Sequence, residues 1–285
     1  MAAVERPQSC GRVRPPYGLA RLVFPGVFSF PWYPSVWPYW LLLGGLAIPL
    51  AGMLATLGLL LPLAVILVVL WCLGTSTVLM TVLRDTAAGN DEICNWPSAI
   101  WWDWIADAFC LFESLVLCLL GISCVAITLR LAHLLPAEPA DDVFPALGGL
   151  VMFFPIVLLS LLEGGLPVSF PVWQTLFARP GAWVIFYLES LVPLAVAGVA
   201  VTELDRAWSP GPCGPGVGFL GDGGFWWTIF LAPLVFVAAG LVYFRLLGKL
   251  AWYCGQEPPE SEMDEDELAD EGGAPVTETP GDEAP

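Results

Sequence analysis

Charged side chains are scarce in this sequence, and histidine is almost absent. Only 13% of the 285 residues are charged whereas 57% are hydrophobic, and the mean hydropathy is +0.75. A soluble domain of this length needs a larger polar surface, so the composition excludes that class and predicts an integral membrane protein in contact with the lipid bilayer. The ten basic residues form no basic stripe, which argues against a nucleic-acid partner.

Several catalytic and metal-binding patterns are missing as well. His133 is the single histidine, so it cannot supply a histidine-rich metal site and is the only candidate base for a serine triad. The sequence has no HExxH, GxSxG or GKS/GKT pattern. Its eight cysteines show no CxxC spacing, and most lie in apolar runs, as small buried hydrophobic residues do. We therefore predict a non-enzymatic protein with no catalytic residue, no metal and no cofactor.

Six apolar runs are long enough to cross the bilayer, whose hydrocarbon layer of roughly 30 Å takes about 20 helical residues. They cover residues 40–57, 59–83, 109–129, 144–162, 182–201 and 225–247. The sequence thus predicts an all-α, polytopic transmembrane helical bundle with six spans over residues 27–254. A basic cytoplasmic segment, 1–26, precedes it. Because the first apolar run starts only near Tyr39, we expect the first span to be retained and not cleaved as a signal peptide.

The basic residues predict the orientation of this bundle. If the N-terminus lies in the cytoplasm, only Arg130 and Arg206 fall on the outer side. The other eight fall on the cytoplasmic side, as the positive-inside rule requires: Arg6, Arg12, Arg14, Arg21, Arg84, Arg179, Arg245 and Lys249. We expect both termini to be cytoplasmic.

The C-terminal tail, residues 255–285, is strongly acidic. Twelve of the 27 acidic residues lie between Glu257 and Glu283, where there is no Lys or Arg, so most of the net charge of -17 belongs to this segment. Its low apolar content predicts a disordered, solvated appendage. The alternative is a docking segment for a basic cytoplasmic partner.

A short repeat suggests an internal organisation. The tetrapeptide Glu-Ser-Leu-Val occurs at 113–116 and 189–192, and each glutamate is followed 17 residues later by an arginine, Arg130 or Arg206. Interfacial aromatic-Pro lead-in segments, such as 28–40 and 168–173, precede apolar pairs. We therefore consider three repeated helical hairpins, at roughly 27–83, 94–166 and 168–250. A short interfacial helix carrying Asp103 and Asp107 is expected before the third span.

Three glutamates fall inside or at the end of the predicted spans, where a carboxylate needs a partner, water or a proton. They are Glu113, Glu163 and Glu189, with Ser114 and Ser190 adjacent to two of them. One interpretation is a polar cavity that binds a cation or relays protons, or a hard-cation site of three carboxylates. The other is that these residues form structural polar contacts between helices.

Four strings carry a resemblance to uncharacterised multi-pass membrane proteins encoded by planctomycete-type bacteria. They are Asn95-Trp96-Pro97, FPIVLLSLLE at 154–163, FYLES at 186–190 and YFRLLGKLAW at 243–252. The resemblance implies a bacterial inner membrane and no assigned activity. We accordingly expect a structural or interaction role, with a small cation- or proton-coupled transporter or channel as the alternative.

Overall fold

All regular elements in the described residues are helical. The computed structural model describes residues 26–56, 61–93, 96–97, 101–131, 143–208 and 223–255. After a 3₁₀ turn at Phe30–Trp32 come α1 (Trp37–Thr56), α2 (Leu61–Ala87), α3 (Trp101–Leu131), α4 (Val143–Gly164), α5 (Phe170–Ala178), α6 (Pro180–Trp208) and α7 (Gly223–Cys254). The predicted all-α class is confirmed. Residues 1–25, His133 and nearly all of the acidic tail lie outside the described residues.

Five of these helices are long and apolar enough to cross a membrane. The candidate membrane-spanning segments are Pro62–Ala87, Trp102–Leu131, Leu147–Gly164, Pro180–Leu204 and Phe230–Cys254. Within α1, the stretch Trp37–Ile48 is a shorter apolar helix. The membrane class is therefore supported by five helices, whereas the sixth span and the hairpin repeat stay predictions.

Two helices extend beyond the apolar runs that predicted them. Residues 101–108 form the first two turns of α3 and not a separate interfacial helix. Asp107 is buried in these turns, and its charge is compensated by Arg84 on α2, whose Nη1 atom lies 2.6 Å from Oδ1. Similarly, α6 continues to Trp208, past the predicted limit at 201. Charged residues near a helix end therefore did not terminate either helix.

Prolines determine how the chain enters α1 and α5. The lead-in segment contains Pro31 and Pro34, which lack the amide donor that a regular helix needs, and α1 begins only at Trp37. The indole Nε1 of Trp40 donates a hydrogen bond of 2.6 Å to the carbonyl of Pro31, so the lead-in folds back onto α1. At α5, Pro171 lies in the first turn, where a missing amide donor costs nothing.

The helix α7 forms the centre of the bundle. It packs against α6, α2 and α1, and Leu241, Leu247 and Leu250 are fully buried. Glycine allows two of these close approaches. A Cβ atom on Gly44 of α1 would lie 2.9 Å from the Cα atom of Leu234, and one on Gly248 would lie 2.8 Å from the carbonyl oxygen of Leu83 on α2. Small residues are a common means of bringing helix backbones together in membranes.

Candidate functional site

A buried arginine, Arg245, lies in the most deeply packed part of α7. Its neighbours along the chain, Phe244 and Leu246, are also buried, and only 2% of the arginine side chain is exposed. A charge is costly in such surroundings unless hydrogen bonds and an opposite charge compensate for lost water. Arg245 is therefore the clearest polar feature inside the described bundle.

Three segments surround the Arg245 guanidinium. Its Nη2 atom donates a hydrogen bond of 2.7 Å to the Asp91 carbonyl and lies 3.5 Å from Oδ1 of the same residue. Nη1 lies 3.4 Å from the hydroxyl of Thr86, at the end of α2. The Phe30 ring covers the group, with its centroid 4.4 Å from Cζ, which is favourable cation–π geometry. Arg245 thus joins α7 to the lead-in and to the α2–α3 connection.

Lys249 follows Arg245 by one helical turn and brings a second cation to the same face of α7. It lies within electrostatic range of Arg245, Asp91 and Glu189. Glu189 comes from α6, the helix that packs most extensively along α7. The four formal charges of Arg245, Lys249, Asp91 and Glu189 cancel. We call this group of residues the α7 charge cluster.

Other basic side chains lie at the same end of the bundle, which we call the Arg245 end. Arg84 pairs with Asp107 between α2 and α3. Arg179 donates a hydrogen bond to the carbonyl of Tyr253, and its Cζ atom lies 5.3 Å from the centroid of that tyrosine ring. In contrast, Arg130 lies in the last turn of α3, at the opposite end of that helix.

Two of the glutamates predicted from the sequence have different surroundings. Glu163 is exposed at the end of α4, where Oε2 accepts a hydrogen bond of 3.0 Å from the Ser169 hydroxyl. Glu189 belongs to the α7 charge cluster. These two carboxylates of the candidate polar cluster therefore have different neighbours. A shared function for them stays a prediction.

The remaining members of the candidate cluster are Glu113 and two serines whose hydrogen bonds stay within their own helices. Glu113 is half-buried on α3. Ser114 donates to the carbonyl of Cys110 at 2.8 Å, and Ser190 donates to that of Tyr187 at 2.9 Å. Each hydroxyl therefore donates its hydrogen bond to a backbone carbonyl within one turn of its own helix, as a serine buried in a helix commonly does.

No group of three His, Cys, Asp or Glu side chains in the described ranges could hold a metal ion. Glu113, Glu163 and Glu189 therefore do not form the three-carboxylate cation site that the sequence left open. This follows from their surroundings, because Glu163 bonds to Ser169 whereas Glu189 lies near Lys249.

Sequence reasoning missed the α7 charge cluster. It used Arg245 and Lys249 only as markers of the cytoplasmic side, and Asp91 as part of a connection. One signal was available: an arginine and a lysine four residues apart, each with apolar residues on both sides, must share a helix face and need acidic partners. The identity of those partners depends on Asp91, 154 residues away along the chain.

Comparisons of the chain with protein-family models, with curated proteins and with solved structures found no match. Function is therefore inferred from the geometry of this chain.

Proposed function

We propose that the protein is a non-enzymatic inner-membrane protein of a bacterial cell with a structural or interaction role. In this proposal α1 also crosses the membrane and brings the number of spans to six, since its 20 residues make about 30 Å of helix at 1.5 Å per residue. The Arg245 end faces the cytoplasm, because Arg84, Arg179, Arg245 and Lys249 share it. Both termini are then cytoplasmic, and the three-hairpin repeat remains part of the proposal.

The observation that carries this proposal is the pairing of charges around α7. A transport site needs charged groups that water or substrate can reach, whereas Arg245 has only 2% of its side chain exposed and is joined to Asp91 and Phe30. Glu189 lies within range of Lys249. In this proposal the opposite charges around α7 serve helix packing and not the passage of an ion.

The interaction role follows from what comes after α7. This helix ends at Cys254, and the acidic segment starts at Glu257. Arg179 contacts both the carbonyl and the ring of Tyr253, one residue before that end. The best-packed helix therefore leads directly into the most charged part of the chain. A cytoplasmic partner with a basic surface would be attracted to that segment.

The alternative is a small cation- or proton-coupled transporter or channel. It is favoured by two half-buried carboxylates within spans, Glu113 and Glu189, because ionisable residues at membrane depth often belong to ion pathways. In this alternative Lys249 would respond to the protonation of Glu189.

Flux measurements separate the two functions. The full chain is reconstituted in liposomes that contain a pH-sensitive dye, and a potassium gradient with valinomycin drives proton entry. We expect wild type and Glu189→Gln to match protein-free liposomes, and a parallel assay with sodium and potassium efflux to do the same. A wild-type flux that Glu189→Gln abolishes would establish the transporter instead.

A binding assay tests the interaction role. Full-length protein in nanodiscs is compared with a chain that ends at Gln256, using a fluorescent peptide of ten lysines as the probe. We expect binding only with the full chain, and a steep loss of binding between low and physiological salt because the attraction is between exposed charges. A variant with Asn or Gln at the five acidic positions of 262–267 controls for segment length. Equal binding by all three proteins contradicts the role.

A further inference from the structure

An apolar groove lies between α6 and α7, towards the end of the bundle opposite Arg245. Its volume is about 440 Å³, which falls within the range of roughly 300–1,000 Å³ that is usual for small-molecule sites. The residues that line it are Ala195, Val196, Val199, Ala200, Glu203, Leu231, Ala232 and Val235. We call this feature the α6–α7 groove.

The sequence explains why the groove lies in this part of the helix pair. Near the Arg245 end, large rings fill the space between α6 and α7, with the centroids of Phe186 and Tyr243 5.9 Å apart. Farther along, alanines replace the rings. Pro193 lies between these two regions of α6, and Pro233 lies among the lining residues of α7; a proline inside a helix removes a backbone hydrogen bond and commonly kinks the axis. The small side chains next to these prolines leave unfilled space.

The groove is open to the surroundings of the bundle. Val199 is 62% exposed and Leu231 is 54% exposed. Both residues lie in segments that are long and apolar enough to cross a membrane. In a bilayer the molecules next to such a surface are lipids. The nearly apolar lining suits an acyl chain, because every lining side chain except that of Glu203 is a hydrocarbon.

Glu203 is the one charged residue of the lining, and its position gives the site a chemical preference. It comes five residues before the end of α6 at Trp208, or about 8 Å along the helix axis, so it lies near the level of lipid headgroups. A carboxylate has about four acceptor positions. It can therefore accept a hydrogen bond from a lipid while it keeps a contact with the protein. The ammonium of a zwitterionic headgroup complements this charge, whereas an anionic headgroup offers no cation.

We propose that the α6–α7 groove binds a phospholipid whose headgroup carries a primary ammonium group, the phosphatidylethanolamine class. One acyl chain fills the groove along Ala195, Val199 and Leu231, and the ammonium donates hydrogen bonds to the Glu203 carboxylate. This site goes beyond the proposed function and does not depend on it, because the groove and the α7 charge cluster lie at different ends of the bundle.

Lipid retention tests the site in the full-length protein. The chain is reconstituted in nanodiscs that contain equal amounts of phosphatidylethanolamine and phosphatidylglycerol with identical acyl chains, and the lipids that stay bound are measured by native mass spectrometry. We expect phosphatidylethanolamine to be enriched about three- to fivefold, the size expected for an ion pair that water still reaches. Glu203→Gln should remove this enrichment, and Asp103→Asn, an exposed acid on α3, should leave it unchanged.

A second pair of variants tests the groove itself. Ala195→Phe fills it and should lower the total lipid retained, whereas Val201→Phe, on the other face of the same helix, should not. Melting temperatures show whether each variant is folded. If Ala195→Phe does not fold, Glu203→Gln, which leaves the side-chain volume nearly unchanged, still tests the site. Equal retention of the two lipids, an enrichment that Glu203→Gln does not change, or a dimer formed through the groove would each overturn the proposal.

Discussion

The helices α7 and α3 are nearly equal in length and hydropathy, yet they occupy opposite positions in the bundle. α7 has 32 residues and α3 has 31, and the mean hydropathies of their membrane segments are 2.1 and 2.4. However, 61% of the α7 segment is buried by other parts of the chain and only 11% of the α3 segment is. Hydropathy therefore indicates that a helix belongs in a membrane without indicating its place there.

The difference lies in small residues and paired charges. Gly248 lets α7 approach the backbone of α2, and Arg245 holds the α2–α3 connection. On α3, by contrast, a Cβ atom on Gly121 would meet nothing within 4 Å, and Phe112 and Val125 are exposed. Lipid is as apolar as leucine, so close packing and polar contacts determine which helix becomes central.

Removal of the central charge should produce the largest effect. Arg245→Ala deletes a buried guanidinium and leaves the Asp91 carbonyl and the Thr86 hydroxyl without it. We expect the free energy of unfolding to fall by about 3 kcal/mol. Arg130→Ala, in the last turn of α3, should cost less than about 1 kcal/mol. Unfolding by sodium dodecyl sulfate in mixed micelles, followed by circular dichroism, gives both values. Equal losses of unfolding free energy in the two variants would contradict the view that α7 is held by a buried charge and α3 is not.

The two glycines should respond to alanine with opposite signs. Gly248→Ala places a Cβ atom 2.6 Å from that of Thr86, so the helices must separate. A loss of about 1–3 kcal/mol is expected from such overpacking. Gly121→Ala meets open space and should gain up to about 1 kcal/mol through the helix propensity of alanine. Melting temperatures in detergent measure both. A stabilised Gly248→Ala variant would show that α2 and α7 are less tightly packed than described.

A smaller effect is expected at the ion pair that joins α3 to the bundle. Asp107→Asn weakens the contact with Arg84, whose side chain is 52% exposed. Because water reaches one partner, the loss should be about 1 kcal/mol. Asp103→Asn, an exposed change one turn earlier, controls for the loss of negative charge near the start of α3. A loss as large as that of Arg245→Ala would show that α3 depends on one charge pair as strongly as α7 does.

Local patterns were sufficient to predict much of the fold. Apolar runs located α2, α3, α4, α6 and α7 because membrane insertion depends on the local sum of hydropathy. Helix ends were less accurate. α3 starts at Trp101, eight residues before the apolar run that predicted it, and this extension carries Asp107 in contact with Arg84, which a run of hydropathy values cannot show.

The candidate site was predicted only in part, since it depends on contacts between distant residues. The position of Glu189 inside a predicted span raised the question of a partner, and Lys249, 60 residues later, lies within its electrostatic range. Arg245 was counted only as a charge on the cytoplasmic side, because nothing near it in the chain indicates the return of Asp91 and Phe30 over α7. Such pairing is a property of the packed bundle.

A charge exchange between Glu189 and Lys249 tests most directly whether the α7 charge cluster is structural. Unfolding free energies are measured for Glu189→Lys, for Lys249→Glu and for the double variant. We predict that each single change destabilises the protein and that the double variant regains at least about 0.5 kcal/mol relative to the sum of the two, as coupled charges should. Purely additive losses would contradict the account, because they would mean that α6 and α7 do not stabilise one another through these two side chains.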